Sequence, residues 1–184
     1  MERLSNTARR DAYGSKINRD HSPVLAFGVP WLTIILGSIT PLLPIIAPAP
    51  IVPPLGYLFL LGWRLSRPGL LPMWVGIPLG LIDDLFSGQP LGSGILLFCV
   101  TMIALELLDA RVPWRNFWQD WLTACVFIFF YLMVAALVSG ADISFGQLYL
   151  LLPQLLLSLI LYPVIASIVS ALDRFRLSRV RRIG

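Results

Sequence analysis

Charge is what this chain has least of. Asp, Glu, Lys and Arg supply 13% of its 184 residues against 57% apolar residues, and a mean hydropathy of +0.80 excludes the balance of an ordinary soluble domain. Histidine is nearly absent: His21, in the polar N-terminal stretch, is the single one, so the apolar body lacks the commonest metal ligand and general base. Cys99 and Cys125 lie in separate apolar runs without a CxxC spacing, which indicates neither a metal set nor a redox pair, and both read as packing residues. No internal repeat, low-complexity tract or long linker divides the sequence, which therefore reads as one bundle.

The few cations are placed with a rule. Arg3, Arg9, Arg10, Lys16 and Arg19 precede the first apolar run, Arg64 and Arg67 follow the second, Arg111 and Arg115 the fourth, and Arg174, Arg176, Arg179, Arg181 and Arg182 the sixth. The intervening gaps hold none. Cytoplasmic connectors keep Lys and Arg while outer ones exclude them, so both termini are expected inside. The expected fold is an all-α integral membrane protein of six transmembrane helices, with residues 1–22 a cytoplasmic basic tail, 23–173 the transmembrane domain and 174–184 a second cytoplasmic basic tail. The net charge of +4 comes from those tails and suits anionic inner-leaflet lipid, not nucleic acid. The first run is too long for a signal-peptide core and lacks a small-residue cleavage site, so it is expected to remain as an anchor.

The six runs cover residues 24–46, 53–63, 68–86, 90–109, 121–139 and 148–172. Pro30, Pro41 and Pro44 predict a kinked or frayed outer half for the first, and the second is short against the ~20 residues that cross hydrocarbon. The third and fourth form a helical hairpin around Ser87-Gly88-Gln89, with Pro90 suited to a first helical position. In the fourth connector Trp114, Trp118 and Trp121 recur at four- and three-residue spacing, which suits one indole face at headgroup level or, alternatively, a docking site for a cytoplasmic partner. Glu106 and Asp109, at the inner end of the fourth run, are expected to pair with Arg111. A proton or ion pathway is the other reading.

The third run carries the most information. Gly76, Gly80 and Asp84 follow at four-residue spacing, so two small residues and a carboxylate share one helix face that another backbone can approach. An ionisable side chain near hydrocarbon is costly and needs a partner. No cation lies near the outer helix ends, but the turn from Ser87 to Gly94 offers backbone amides at the start of the next helix. Asp84 is therefore expected to accept hydrogen bonds from that turn and lock the hairpin. Asp83, about 100° further round, is expected to reach the outer headgroups. An enzymatic reading lacks a base or a nucleophile in any usable arrangement, so no catalysis and no cofactor is expected.

The stretch from Leu79 to Gly92 resembles the central motif of the MreD family, the rod shape-determining membrane proteins of bacteria. Gly80, Asp84, Leu85, Gly88, Leu91 and Gly92 occupy the matching positions, with Gly76 and Pro90 completing the candidate partner motif. Asp83 stands where the family more often has an apolar residue. The resemblance extends over the six runs: a proline-broken first span, a Pro-initiated second helix, a Tyr162-Pro163 pair interrupting the last span and a basic tail. It implies a non-catalytic scaffold in the cytoplasmic membrane, belonging to the cell-wall elongation complex. The partners it implies are MreC, the actin-like MreB, the glycosyltransferase RodA and a class B penicillin-binding transpeptidase. It also implies a bundle like the substrate-binding component of energy-coupling-factor vitamin transporters. That likeness supplies the alternative function, small-molecule capture, for which Thr40, Asp142, Ser144, Gln147 and Gln154 are the polar residues available on the outer side. The Leu-rich faces, such as Leu150, Leu151, Leu155, Leu156 and Leu159, suit lipid and helix contact without chemistry.

Overall fold

The computed structural model describes residues 23–42, 52–112, 116–140 and 145–176. They form six α-helices: α1 Pro23–Ile39, α2 Leu55–Ser66, α3 Gly76–Ser87, α4 Ser93–Arg111, α5 Phe117–Val138 and α6 Phe145–Arg176. Single 3-10 turns, Thr40–Leu42 and Met73–Val75, extend α1 and precede α3. Among the described residues α4, α5 and α6 are long and apolar enough to cross a membrane. Helices α2 and α3, at 12 residues each, are only about 18 Å long at 1.5 Å per residue.

Helix α2 is the axis of the bundle. From Gly56 to Leu65 every residue except Phe59 is buried, because this helix is apolar on all sides and neighbours cover it all round. It packs on α1 and α6, while α3 packs on α4 and α1, and α5 on α6. Tyr57, Leu58, Leu61 and Trp63 join Leu79, Phe98, Ile128 and Val169 in the core. The Trp63 indole donates to the Thr33 hydroxyl (2.9 Å), a polar tie between α2 and α1. A second tie is backbone contact, since a Cβ on Gly37 would lie 2.7 Å from the Gly56 nitrogen.

Several boundaries differ from the sequence reading. The third run was expected to be helical from Pro68, but Gly69 at φ 81° and Pro72 hold an irregular segment there, and α3 proper opens at Gly76. Pro90 is not the first residue of α4. Gly92, at φ 100°, turns the chain after it, and the helix starts at Ser93. Helix α5 begins four residues before Trp121, because Asn116 and Gln119 form a reciprocal capping box in which the Asn116 amide donates to Gln119 Oε1 (3.0 Å). Tyr162-Pro163 does not interrupt the last span, since α6 runs unbroken through both Pro153 and Pro163. Proline costs a helix one amide bond and a steric adjustment, which neighbouring helices can absorb in a membrane bundle. Pro44, Pro48, Trp114 and Asp142 lie outside the described residues.

The C-terminal ends of α2, α4 and α6 meet in a charge cluster. Arg64, 1% exposed, pairs with Glu106 and, at 3.0 Å, with Asp109. Arg67 pairs with Asp173 (2.6 Å), which also accepts from Arg176 Nε (2.8 Å), and the Arg176 guanidinium lies over the Trp63 ring at 5.6 Å. The partner expected for Glu106 and Asp109 was Arg111, their neighbour in sequence. Arg64 takes both instead, because α2 sits at the centre and its guanidinium enters the bundle where α4 ends. The two carboxylates should not weigh equally. Glu106 is 53% exposed and Glu106→Gln is expected to cost less than about 1 kcal/mol. Arg64→Met, which removes a fully buried guanidinium and both of its ion pairs, should cost about 3 kcal/mol. Thermal unfolding of the two variants in detergent checks the order.

Candidate functional site at the α3–α4 hairpin

Asp84 sits on the last turns of α3, 3% exposed, with its carboxylate directed into the start of α4. Four donors converge on it. The Gly92 amide donates to Oδ2 (2.8 Å), the Gly94 amide to Oδ1 (2.6 Å), the Ile95 amide to Oδ2 (3.3 Å), and the Ser93 hydroxyl reaches Oδ1 at 3.2 Å. The turn that delivers these donors depends on two left-handed residues. Gly88 (φ 70°) ends α3 and Gly92 (φ 100°) opens α4, conformations that a side chain disfavours. The positive end of α4 and a carboxylate thus face one another, so charge and hydrogen bonding act in the same direction.

The two glycines one and two turns before Asp84 set the separation of the helices. A Cβ on Gly80 would lie 2.6 Å from Ile95 Cα and 2.7 Å from the Gly94 oxygen, and one on Gly76 would lie 3.1 Å from Cys99 Cα. Gly94 faces back, where a Cβ would stand 2.7 Å from Asp84 Oδ1. The small-residue face is therefore used inside the chain, between α3 and α4. What α3 leaves outward is apolar: Ile77, Leu81 and Leu85, again at four-residue spacing, are exposed, as is Leu91 in the turn. Gly76, Gly80, Asp84 and Gly92 thus build the hairpin, while Leu85, Gly88, Pro90 and Leu91 lie on its surface or at its tip.

Asp83 does not reach toward headgroups. It is 5% exposed, turned into the bundle on the side away from Asp84, and the Tyr131 hydroxyl of α5 donates to its Oδ2 (3.3 Å). Tyr131 stacks on Tyr57 of α2 with centroids 4.0 Å apart, and the Tyr57 hydroxyl shares a 2.8 Å hydrogen bond with Thr101 of α4. Ser38 of α1 is buried at the same place: a Cβ on Gly56 would collide with its hydroxyl and stand 3.1 Å from Asp83 Oδ1. A polar centre therefore links five helices. Sequence reasoning missed it, and the available signal was the pair of small residues Gly37 and Gly56 flanking Ser38 and Tyr57, which allow α1 and α2 to close around a polar group.

Two of the residues available for ligand capture, Thr40 and Gln154, are otherwise engaged. The Thr40 hydroxyl donates to its own helix at the Gly37 oxygen (2.5 Å), and the Gln154 amide donates to the Val52 oxygen (2.8 Å). Asp142 and Ser144 and the Gln147 side chain fall outside what is described.

Residues 24–176 match the model of a protein family described as rod shape-determining protein MreD. Comparison with curated proteins and with solved structures gives no significant match.

Proposed function

The chain belongs to the MreD family of rod shape-determining proteins, and on that premise we propose that it is the non-catalytic membrane scaffold of the cell-wall elongation complex. In this reading it holds MreC and links it to RodA and a class B penicillin-binding transpeptidase, with MreB filaments engaged directly or through MreC. The observation that carries the reading is the hairpin. Its glycines and Asp84 are consumed in fixing α3 against α4, so the ridge of Ile77, Leu81 and Leu85 is presented on a rigid element. A rigid apolar ridge suits a transmembrane helix of a partner, because helix association in lipid depends on shape and close packing.

The chain crosses the bacterial cytoplasmic membrane six times, with residues 1–22 and 174–184 as cytoplasmic basic tails around a domain of residues 23–173. The cluster of Arg64, Arg67, Glu106, Asp109, Asp173 and Arg176 supports this topology, since an alternating path requires the ends of α2, α4 and α6 on one side. The short α2 and α3 fall below the roughly 30 Å of hydrocarbon. Among the described flanking residues Pro53, Leu71 and Val75 are buried while Pro72, Met73 and Trp74 are exposed, and in this reading the flanks complete the crossing.

Affinity purification of a C-terminally tagged copy from native membranes tests the proposal. MreC, RodA and the transpeptidase are expected in the eluate, and photo-crosslinkers at Leu81 or Leu85 are expected to trap MreC. Recovery of a membrane coupling protein with paired ATPases would instead mark a substrate-capture subunit and sink the scaffold reading.

A further inference from the structure

We infer that Asp83 anchors a site for one small monovalent cation, a proton or a sodium ion, enclosed between α1, α2, α3 and α5. Its carboxylate is buried inside a membrane bundle, and among the described residues no Lys or Arg pairs with it. An isolated charge in such a place is too costly to persist, so a positive charge must be held there from solution.

The surroundings fit that role. The polar groups beside Asp83 are hydroxyls: that of Tyr131 from α5 and that of Ser38 from α1, with Gly56 of α2 lying against both Ser38 and Asp83 and the Tyr57 ring stacked behind Tyr131. The Ser38 hydroxyl is turned toward Asp83 yet makes no hydrogen bond of full geometry, leaving a buried oxygen beside a carboxylate oxygen. Gly56 lets Ser38 and Asp83 come together, since a Cβ there would overlap the Ser38 hydroxyl and stand 3.1 Å from Asp83 Oδ1. The neighbouring carboxylate, Asp84, points to α4 and accepts from its own donors there, so it supplies no ligand to the site, while its like charge next to Asp83 adds to the need for a cation. Arg64 lies two turns further along α2, committed to Glu106 and Asp109.

One carboxylate and a few hydroxyls match a single positive charge. Divalent and transition metals need more anionic or imidazole ligands, and no three His, Cys, Asp or Glu side chains gather among the described residues. Occupation of the site would hold α1 and α5 to α3, because Ser38 and Tyr131 reach Asp83 from those two helices.

The test is the unfolding temperature of the full-length protein in detergent at fixed ionic strength. It is followed from pH 6 to pH 9 in choline chloride and again in sodium chloride, for wild type and for Asp83→Asn. Wild type should lose several degrees as the pH rises in choline. Recovery on adding sodium, but not potassium, identifies sodium as the ligand; loss in both salts identifies the proton. Asp83→Asn, already neutral, should flatten either response. Equal responses of wild type and Asp83→Asn, or no response in either, overturn the site. Where Asp83→Asn fails to accumulate, Ser38→Ala and Tyr131→Phe serve. Each removes one oxygen and should move the midpoint of the wild-type response about tenfold in cation concentration. Unmoved midpoints in both variants would also overturn it.

Discussion

Gly80→Leu is expected to abolish membrane accumulation of the protein, and cells that depend on it should lose rod shape. The reason is what the new side chain would meet. At Gly80 the nearest atoms to a Cβ are Ile95 Cα, Ile95 N and the Gly94 oxygen, all within 2.7 Å and all backbone, so no rotamer change can relieve the contact. Helix α4 would have to move away from α3, and the amides of Gly92 and Gly94 would move with it, off the Asp84 carboxylate. Overpacking by one methyl costs about 1–3 kcal/mol where neighbours are rigid. Gly80→Ala should therefore lower the unfolding temperature, against the ordinary helical trend in which Ala is better than Gly by up to about 1 kcal/mol. Gly28 in α1, with nothing within 4 Å of its Cβ position, supplies the control. Gly28→Ala should leave stability unchanged or raise it slightly. If Gly80→Ala behaves like Gly28→Ala, the close approach of α3 and α4 does not limit stability.

How far the site was readable from sequence follows from the distance between partners along the chain. Asp84 and its donors lie within 11 residues of one another, so helical spacing and one glycine-bearing turn were enough to bring them together on paper. Asp83 has its partner 48 residues away on α5. A helix taken alone places it outward, and only the packing of α1, α2 and α5 on that side of α3 turns outward into inward. Arg64 is the same case, since its pairing with Glu106 spans 42 residues whereas Arg111 is the cation near in sequence. Yet the charge alternation had already put Arg64 and Glu106 at ends expected on one side of the membrane, and the candidate was in reach. Helix starts depart from the hydrophobic pattern where an irregular residue overrules it, at Gly69 and Gly92, and the prolines of α6 leave it unbroken because neighbouring helices, which apolar content alone does not reveal, support it. The use of the Gly76–Gly80 face was the least legible point. The pattern announces a close contact without saying whether the contact is within the chain or with a partner, and here α4 occupies it.

Asp84→Ala should cost nearly as much as Gly80→Leu, by a different route. It removes the common acceptor of three backbone amides, and the Gly94 amide, which is buried, has no water to turn to. Hydrogen bonds to a charged group contribute about 1.5–3 kcal/mol each, so even partial relief of the loss leaves a destabilisation of several kcal/mol. Asp84→Asn is the sharper experiment because it preserves size. An amide has one acceptor oxygen, and its NH2 group must face either the Gly94 amide or the Gly92 amide, donor against donor. Asn should therefore keep about half of the bonds and still open the turn. Limited proteolysis between Gly88 and Gly92 in membranes is expected to rank wild type as most resistant, then Asp84→Asn, then Asp84→Ala. Crosslinking from Leu85 to MreC should fall in the same order, since the ridge proposed to meet MreC is rigid only while the hairpin is closed. Proteolysis of Asp84→Asn at the wild-type rate would show that the charge is dispensable and that glycine packing alone holds α3 to α4.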